Sequence, residues 1–212
     1  IITNNSKLSL ENALINGANV HIQTTESSNP LINSCDISNN CIANIGDDGS
    51  IEFRTDLDYS SGSGRLRLTA NKTIEIFENN TIKTGSGGLD LNAPNGLVGF
   101  GRIIVDEDNP SSTTSFSIAQ NRDSIFNGVI SGNGRFIKKG SGELTLNGEN
   151  TFAAETSVQG GVLTVNSSLP STATCSGGSS NLCTSSTSTS STSASTSTSN
   201  SIIDQFNNTA SS

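Results

Sequence analysis

The sequence lacks several residue types on which other protein classes depend. It contains no methionine or tryptophan, one histidine and 4% aromatic residues in 212. No long apolar run follows a basic segment, so the sequence as given predicts neither a signal peptide nor a membrane-spanning helix. Because the chain starts at Ile1 and has no methionine, we expect an internal or processed fragment of a longer protein.

Positive charge is also scarce. Eleven lysines and arginines stand against nineteen aspartates and glutamates, which gives a formal net charge of −8. Lys138 and Lys139 form the only adjacent basic pair. Nucleic acids and anionic membranes both require a concentrated basic surface. The composition therefore argues against both partners and suits a soluble, exposed surface protein.

The chain is instead rich in short alternating segments. Polar and apolar residues alternate over about four residues, which predicts half-buried strands, and Gly, Asn or Asp in the gaps predicts turns. The predicted strands are 7–10, 19–22, 50–53, 65–68, 73–76, 81–83, 88–91, 115–118, 143–146 and 161–165. The only fair helical candidates are residues 8–15 and 202–206.

The spacing of the strands predicts a solenoid. Between Leu66 and Leu91 apolar pairs recur about every eight residues, so three steps form a coil of roughly 20 to 25 residues. We therefore predict an all-β, right-handed parallel β-helix with short turns over residues 1–169, with an inserted loop at about 25–49. Residues 170–212 are predicted to form a cysteine-closed loop, a Ser/Thr-rich linker and a disordered tail.

The four cysteines fall in two close pairs, Cys35 with Cys41 and Cys175 with Cys183. An even, locally paired pattern favours two disulfide-closed loops and an oxidising compartment. A zinc site is the alternative interpretation. The cysteine spacings differ from those of common structural zinc motifs, and His21 is the only histidine, so disulfides are favoured.

We predict no catalytic residue, cofactor site or metal site. His21 lies between apolar strand residues without an obvious nucleophile or orienting partner, so we expect an exposed structural residue. Paired carboxylates are possible catalytic residues, because some β-helices are carbohydrate-active enzymes that use Asp and Glu side chains. The candidates are Asp56 with Asp58, the pair 47–48 and the run 106–108, and their turn-forming neighbours favour solvated loops over catalysis or weak calcium binding.

Two groups of segments resemble known secreted proteins. Residues 10–24, 49–53, 66–74 and 88–93 resemble the large two-partner-secretion exoproteins, the filamentous haemagglutinin and high-molecular-weight adhesin group. The segments 126–134, 138–152 and 158–165 are similar to the passenger-associated β-strand repeat of autotransporter-type proteins. Both groups are extracellular right-handed β-helices, and together the resemblances cover most of residues 10–166.

The resemblance implies secretion with an outer-membrane β-barrel partner and display as a fibre on the bacterial cell surface, where neighbouring coils or subunits cap open ends. The first hypothesis is thus a structural or adhesive stalk, a non-enzymatic virulence adhesin that attaches to a host-cell receptor or glycan. The second is a binding module for a host protein or haem carrier through the loop at 25–49. The third is a carbohydrate-active β-helix enzyme.

Overall fold

The structure is a computed structural model, and it describes residues 4–25, 34–35, 40–46, 49–152, 155–167, 175–177 and 182–185. A helix, α1, spans Asn4–Ile15, and β-strands account for nearly all the other regular structure described. Within these residues no helix combines the length and the apolar character needed to cross a membrane.

Most strands are very short. In chain order they are β1 (Asn19–Thr25), β2 (Ser34–Cys35), β3 (Asn40–Gly46), β4 (Ile51–Phe53), β5 (Leu57–Tyr59), β6 (Leu66–Thr69), β7 (Ile74–Ile76), β8 (Thr81–Thr84), β9 (Leu89–Asn92), β10 (Leu97–Gly99), β11 (Arg102–Val105), β12 (Ser115–Ala119), β13 (Ser124–Phe126), β14 (Val129–Gly132), β15 (Arg135–Lys139), β16 (Glu143–Leu146), β17 (Thr151–Phe152), β18 (Thr156–Val158), β19 (Val162–Val165), β20 (Cys175–Gly177) and β21 (Leu182–Ser185).

These strands form three sheets that wind into a solenoid, and the described strands pair in parallel except β2, which is antiparallel to β3. Sheet 1 has the order β2-β3-β1-β6-β9-β12-β15-β18-β20, sheet 2 the order β21-β19-β16-β13-β10-β7-β4, and sheet 3 the order β17-β14-β11-β8-β5. Each complete coil contributes one strand to each sheet, so the five strands of sheet 3 correspond to five complete coils. The predicted all-β parallel solenoid is confirmed.

The register between strands of sheet 1 shows that the coils differ in length. Leu66 pairs with Leu89, and Leu89 with Phe116, so the second of these coils is longer than the first. Phe116 then pairs with Phe136, and Phe136 with Thr156, so the next two coils are shorter and equal in length. The chain therefore changes from coils of unequal length to coils of equal length at β12.

The core is a set of columns of inward-facing side chains, because strand residues alternate between the two faces of each sheet. In sheet 2, for example, Ile51, Ile74 and Leu97 stack in register and are buried. Phenylalanines continue the filling in the later coils, where Phe116 and Phe136 are stacked with ring centroids 5.4 Å apart. A thin apolar fraction suffices because each coil needs only a few inward residues.

Helix α1 covers one end of this core. Its Leu10 and Leu14 are buried, and its Glu11 carboxylate accepts the backbone N–H of Asp58 at 2.6 Å. The alternating pattern at 7–10 predicts a strand, but these residues are helical, as the competing prediction of a helix over 8–15 indicates. Packing of the two leucines against the exposed end of the solenoid favours the helix at this position.

Two predicted segments outside the regular coils also contain strands. Within the predicted insertion at 25–49, β3 pairs in parallel with the whole of β1, from Asn19 with Asn40 to Thr25 with Gly46. Beyond residue 169, β20 and β21 add to sheets 1 and 2. The predicted tail beyond Ser185, including the helical candidate at 202–206, lies outside the described residues.

Candidate functional surface

The carboxylates considered for catalysis are held by local hydrogen bonds. Asp56 Oδ1 accepts the backbone N–H of Thr81 at 2.8 Å, and Asp58 Oδ1 accepts that of Ser60 at 3.0 Å. Burial opposes ionisation of Asp58, but the hydrogen bonds from Ser60 and the charges of Lys83 and Lys7 together outweigh it and lower the pKa of the carboxyl. Asp56 thus joins two consecutive coils at sheet 3, and Asp58 stabilises the turn after β5. The pair 47–48 lies outside the described residues.

The acidic run 106–108 belongs to the loop between β11 and β12. Asp106 is buried and has a positive φ of 48°, and its carboxylate contacts the hydroxyls of Ser112 and Thr114, the latter at 2.9 Å. Glu107 forms an ion pair with Lys83 at 3.3 Å. In the described part of the chain no group of three or more His, Cys, Asp or Glu residues is placed to hold a metal ion.

His21 lies on the outer face of β1, as the strand alternation predicts, between the buried residues Val20 and Ile22. It is half-buried rather than fully exposed, and its Nε2 is 2.9 Å from the Thr69 hydroxyl. Burial, followed by the charge of Arg67, lowers the pKa of His21. The ring is therefore neutral at neutral pH and hydrogen-bonded to the next coil.

An ion-pair network lies on the outer face of sheet 1. The Arg65 guanidinium donates to the Asp90 carboxylate twice, from Nε at 2.7 Å and from Nη2 at 2.8 Å. Ser117 donates to the same carboxylate at 2.6 Å. Burial would raise the pKa of Asp90, but the hydrogen bonds from Arg65 and Ser117 and the charges of Arg65 and Arg67 together outweigh burial and lower it. A carboxylate held in this way connects three coils and is ill suited to act as an acid or base.

The predicted disulfide cysteines occupy four strands. Cys35 in β2 lies directly opposite Cys41 in β3, in the antiparallel register that joins these two strands. Cys175 pairs in register with Thr156, and Cys183 with Leu163, both across parallel strands. The side chains of the four cysteines lie outside the described part of the molecule, so both disulfides stay predictions.

Lys138 is a charged residue at an inward-facing position of sheet 1. Its side chain is fully buried, and its Nζ donates to the carbonyls of Lys139 and Gly140 at 2.8 and 3.1 Å and to that of Gly160 at 3.2 Å. Burial lowers the pKa of Lys138 to about 8, against the opposing charge of Asp123. The amine binds two consecutive coils at the corner between sheets 1 and 2.

The corner between sheets 2 and 3 carries an outward-facing column, which we call the corner column. It consists of Phe77, Phe100, Asn127, Asn147 and Asn166. The backbone N–H of each member donates to a carbonyl of the preceding coil at 2.9 to 3.1 Å, so one residue from each of five consecutive coils occupies the same position. Adjacent coils in such a stack are about 4.8 Å apart.

The side chains of the corner column divide it into two halves. Asn147 donates to the Asn127 amide oxygen at 2.8 Å, and Asn166 donates to the Asn147 amide oxygen at 2.7 Å. In the other half the Arg54 guanidinium lies 3.9 Å from the centroid of the Phe77 ring. Phe100 lies at the junction with 65% of its surface exposed. The column is thus aromatic at one end and an amide ladder at the other.

Neither the corner column nor the buried Lys138 is among the sequence-based site predictions. A signal for the column was available, because the Asn-Gly dipeptides at 127 and 147 recur at the same spacing as Phe116 and Phe136. The aromatic members carry no such signal, since the step from Phe77 to Phe100 is shorter than the step from Phe100 to Asn127. The unequal coil lengths hide their alignment.

Comparison with known proteins yields one family match, which falls in the regular coils. Residues 136–165 match the model of the passenger-associated-transport-repeat. No curated protein and no solved structure shows a significant similarity to the chain. The matched segment runs from β15 to the end of β19, which is one complete coil and most of the next. The repeat and the stacked coils together indicate a secreted, autotransporter-passenger-like β-helix.

Proposed function

We propose that this chain is a structural and adhesive segment of a secreted bacterial fibre or adhesin that is displayed on the cell surface and mediates attachment. The observation that carries the proposal is the passenger-associated repeat at 136–165 within the stacked parallel coils. Stacked coils with continuous ladders form a stiff element that presents a long outer surface, which suits a stalk.

We further propose that the chain is not an enzyme and uses no cofactor. The carboxylates that would support a carbohydrate-active enzyme are engaged in structural contacts: Asp56 and Asp58 with backbone amides, Asp106 with loop hydroxyls, and Asp90 with Arg65. Glycoside hydrolysis requires two carboxylates that face each other across the scissile bond. Structural use of these side chains favours the stalk.

For partners, we propose an outer-membrane β-barrel that secretes the chain, neighbouring coils or subunits in the fibre, and a receptor or glycan on a host cell. The two-partner-secretion route rests on the resemblance of residues 10–93, and the autotransporter route on the repeat at 136–165. A dedicated binder that projects the insertion at 25–49 has less support, because β3 in this insertion pairs along the whole of β1.

The proposal is tested by displaying the full chain on a non-adherent bacterium, fused to a β-barrel translocator, and counting bacteria attached to epithelial monolayers. We expect attachment well above that of cells displaying the translocator alone. Deletion of residues 26–48, which removes the whole insertion and leaves a coil of the same length as the next, and the paired substitutions Asp56→Asn and Asp58→Asn should leave attachment unchanged. Loss of attachment on the deletion would favour the dedicated binder, and surface-exposed chain without any attachment would contradict an adhesive role.

A further inference from the structure

The exposed aromatic of the corner column is unusual within this molecule. Of the seven phenylalanines in the described residues, five are buried and Phe77 is half-buried, whereas Phe100 is 65% exposed. Two neighbouring side chains on the outer face of sheet 2 are also apolar: Ile125 is 52% exposed and Val98 is partly exposed. Together with Phe100 they place exposed apolar side chains on the outer face of sheet 2 and at its corner.

Beyond this apolar surface the corner column itself presents uncharged amides, while the charged Glu75 pairs in register with Val98 on the outer face of sheet 2. The exposed amides of Asn127 and Asn147 follow Phe100 along the corner column, each one coil further on. The Arg54 guanidinium at the aromatic end is paired with Glu52 at 3.0 Å and lies over the Phe77 ring, and exposed Arg102 follows Phe100 by two residues at the start of β11. An amide both donates and accepts hydrogen bonds, so it suits a ligand with many hydroxyl groups rather than an ion.

We propose that the corner column binds a neutral β-linked oligosaccharide that lies parallel to the solenoid axis. The apolar face of one pyranose ring packs on Phe100, and the hydroxyls of the following units exchange hydrogen bonds with the amides of Asn127 and Asn147. This inference rests on the adhesive function proposed above and names its ligand class. The coil spacing of about 4.8 Å is close to the length of one β-1,4-linked pyranose unit, so successive sugars meet successive coils.

Two other occupants fit the corner column less well. A second copy of the chain would require about 800 Å² of buried surface on each partner. Three apolar side chains, Val98, Phe100 and Ile125, provide only a small fraction of that area. A nucleic acid would require a concentrated positive surface, but the chain has a net charge of −8 and its lysines and arginines are scattered along the sequence.

The experiment is a titration of the full chain with a panel of neutral oligosaccharides, in which calorimetry and NMR measure binding. The panel contains cellohexaose, chitohexaose, xylohexaose and mannohexaose as extended β-1,4-linked chains, and maltohexaose as a curved α-linked control. We expect at least one β-linked chain to bind more tightly than maltohexaose. Failure of all four to bind would overturn the inference.

Substitutions locate the site. Phe100→Ala should weaken binding by about fivefold to tenfold, since aromatic stacking contributes about 1 kcal/mol beyond its buried area. Leu8→Ala is the matched control, because Leu8 on α1 is also 65% exposed but lies away from the corner column, and it should leave affinity unchanged. Asn127→Ala should weaken binding by about threefold to tenfold through loss of a hydrogen bond. Unchanged affinity in Phe100→Ala would also overturn the inference.

Sedimentation velocity separates the ligand from self-association. If the chain dimerises and Phe100→Ala makes it monomeric without any effect on sugar binding, the corner column is a contact between copies and the inference fails. The attachment assay then separates this inference from the proposed function. Displayed Phe100→Ala chain that attaches as well as the unsubstituted chain would leave the adhesive function standing and remove the corner column as its glycan site.

Discussion

The coils before β12 and those after it are stabilised by different interactions. The earlier coils differ in length and are joined by ion pairs, such as that between Arg65 and Asp90. The later coils are nearly equal in length and place like residues on like, with a phenylalanine stack inside and an asparagine ladder outside. When coils have similar lengths, the same residue type can stack in each coil. When their lengths differ, the contacts between coils differ from one coil to the next.

The largest expected effect comes from the phenylalanine stack of the later coils. Phe136 contacts Phe116 on one side and Phe152 on the other, both with ring centroids 5.4 Å away. Phe136→Ala should lower the free energy of unfolding by about 4 kcal/mol, because it leaves a cavity between two coils. Chemical denaturation followed by circular dichroism measures this difference.

The control for this prediction is the same truncation at the surface. Phe100→Ala removes an equal number of atoms from an exposed side chain and should change the free energy of unfolding by less than about 0.5 kcal/mol. If the two substitutions cost the same, the stack does not hold the later coils together.

The next effect comes from a glycine column at the corner between sheets 2 and 3, where each glycine directly follows a member of the corner column. A Cβ atom at Gly128 would overlap the carbonyl oxygen of Gly101, and one at Gly148 would overlap that of Gly128. Gly128→Ala should therefore lower the free energy of unfolding by about 3 kcal/mol, since backbone must move in two coils.

Gly17→Ala, next to α1, is the comparison from the earlier region. Gly17 has a φ of +84°, but a Cβ atom there would meet only the Ser63 hydroxyl, at 3.2 Å. Gly17→Ala should lower the free energy of unfolding by about 1 to 2 kcal/mol, the ordinary penalty of a left-handed conformation in a residue with a side chain. Equal thermal shifts for the two variants would show that the glycine column tolerates side chains.

A smaller effect depends on pH and arises from Lys138. Its folded-state pKa of about 8 lies below the ordinary value, so above pH 8 the unfolded chain holds a proton that the folded chain has released. The free energy of unfolding should then rise by about 1.5 kcal/mol between about pH 8 and 9.5. Chemical denaturation at several pH values measures how the free energy of unfolding changes with pH.

The matched control for this pH dependence is the adjacent residue. Lys138→Met should remove the rise, whereas Lys139→Met, at an exposed position, should keep it. A rise that survives in Lys138→Met would assign the titration to another group.

The smallest effect compares ion pairs in the two regions. A double-mutant cycle with Arg65→Met and Asp90→Asn should give a coupling energy of about 1 kcal/mol, because this pair is two-pronged and partly buried. The same cycle on Arg135 and Glu155, which are both largely exposed, should give less than about 0.5 kcal/mol. A larger coupling in the second pair would reverse the assignment of ion pairs to the earlier coils.

The sequence predicted the fold well where the alternation was regular. All of the predicted strands from 19–22 onward contain an observed strand, because inward and outward residues alternate within a single strand and need no distant partner to be recognised. Strands such as β5 and β14 were missed because very short segments in a glycine-rich setting give little periodic signal.

Side-chain neighbours were much harder to predict. Lys138 alternates correctly for an inward position, but its charge argues against burial, and only the carbonyls at Gly140 and Gly160 make that burial possible. The corner column was missed for a different reason, since its aromatic members belong to coils of unequal length. The burial of Lys138 and the alignment of the corner column both depend on the number of residues in each coil.

The sequence by itself determined the class of fold, the approximate size of a coil, the small number of charges and the passenger-type resemblance. These are local properties: alternation, turn residues and composition are present in each short segment. Only the tertiary structure decided that residues 7–10 join a helix covering the core, that Lys138 is buried, and that Phe100 lies in line with Asn127. Stacking register is set by whole coils packing together, and no single segment contains that information.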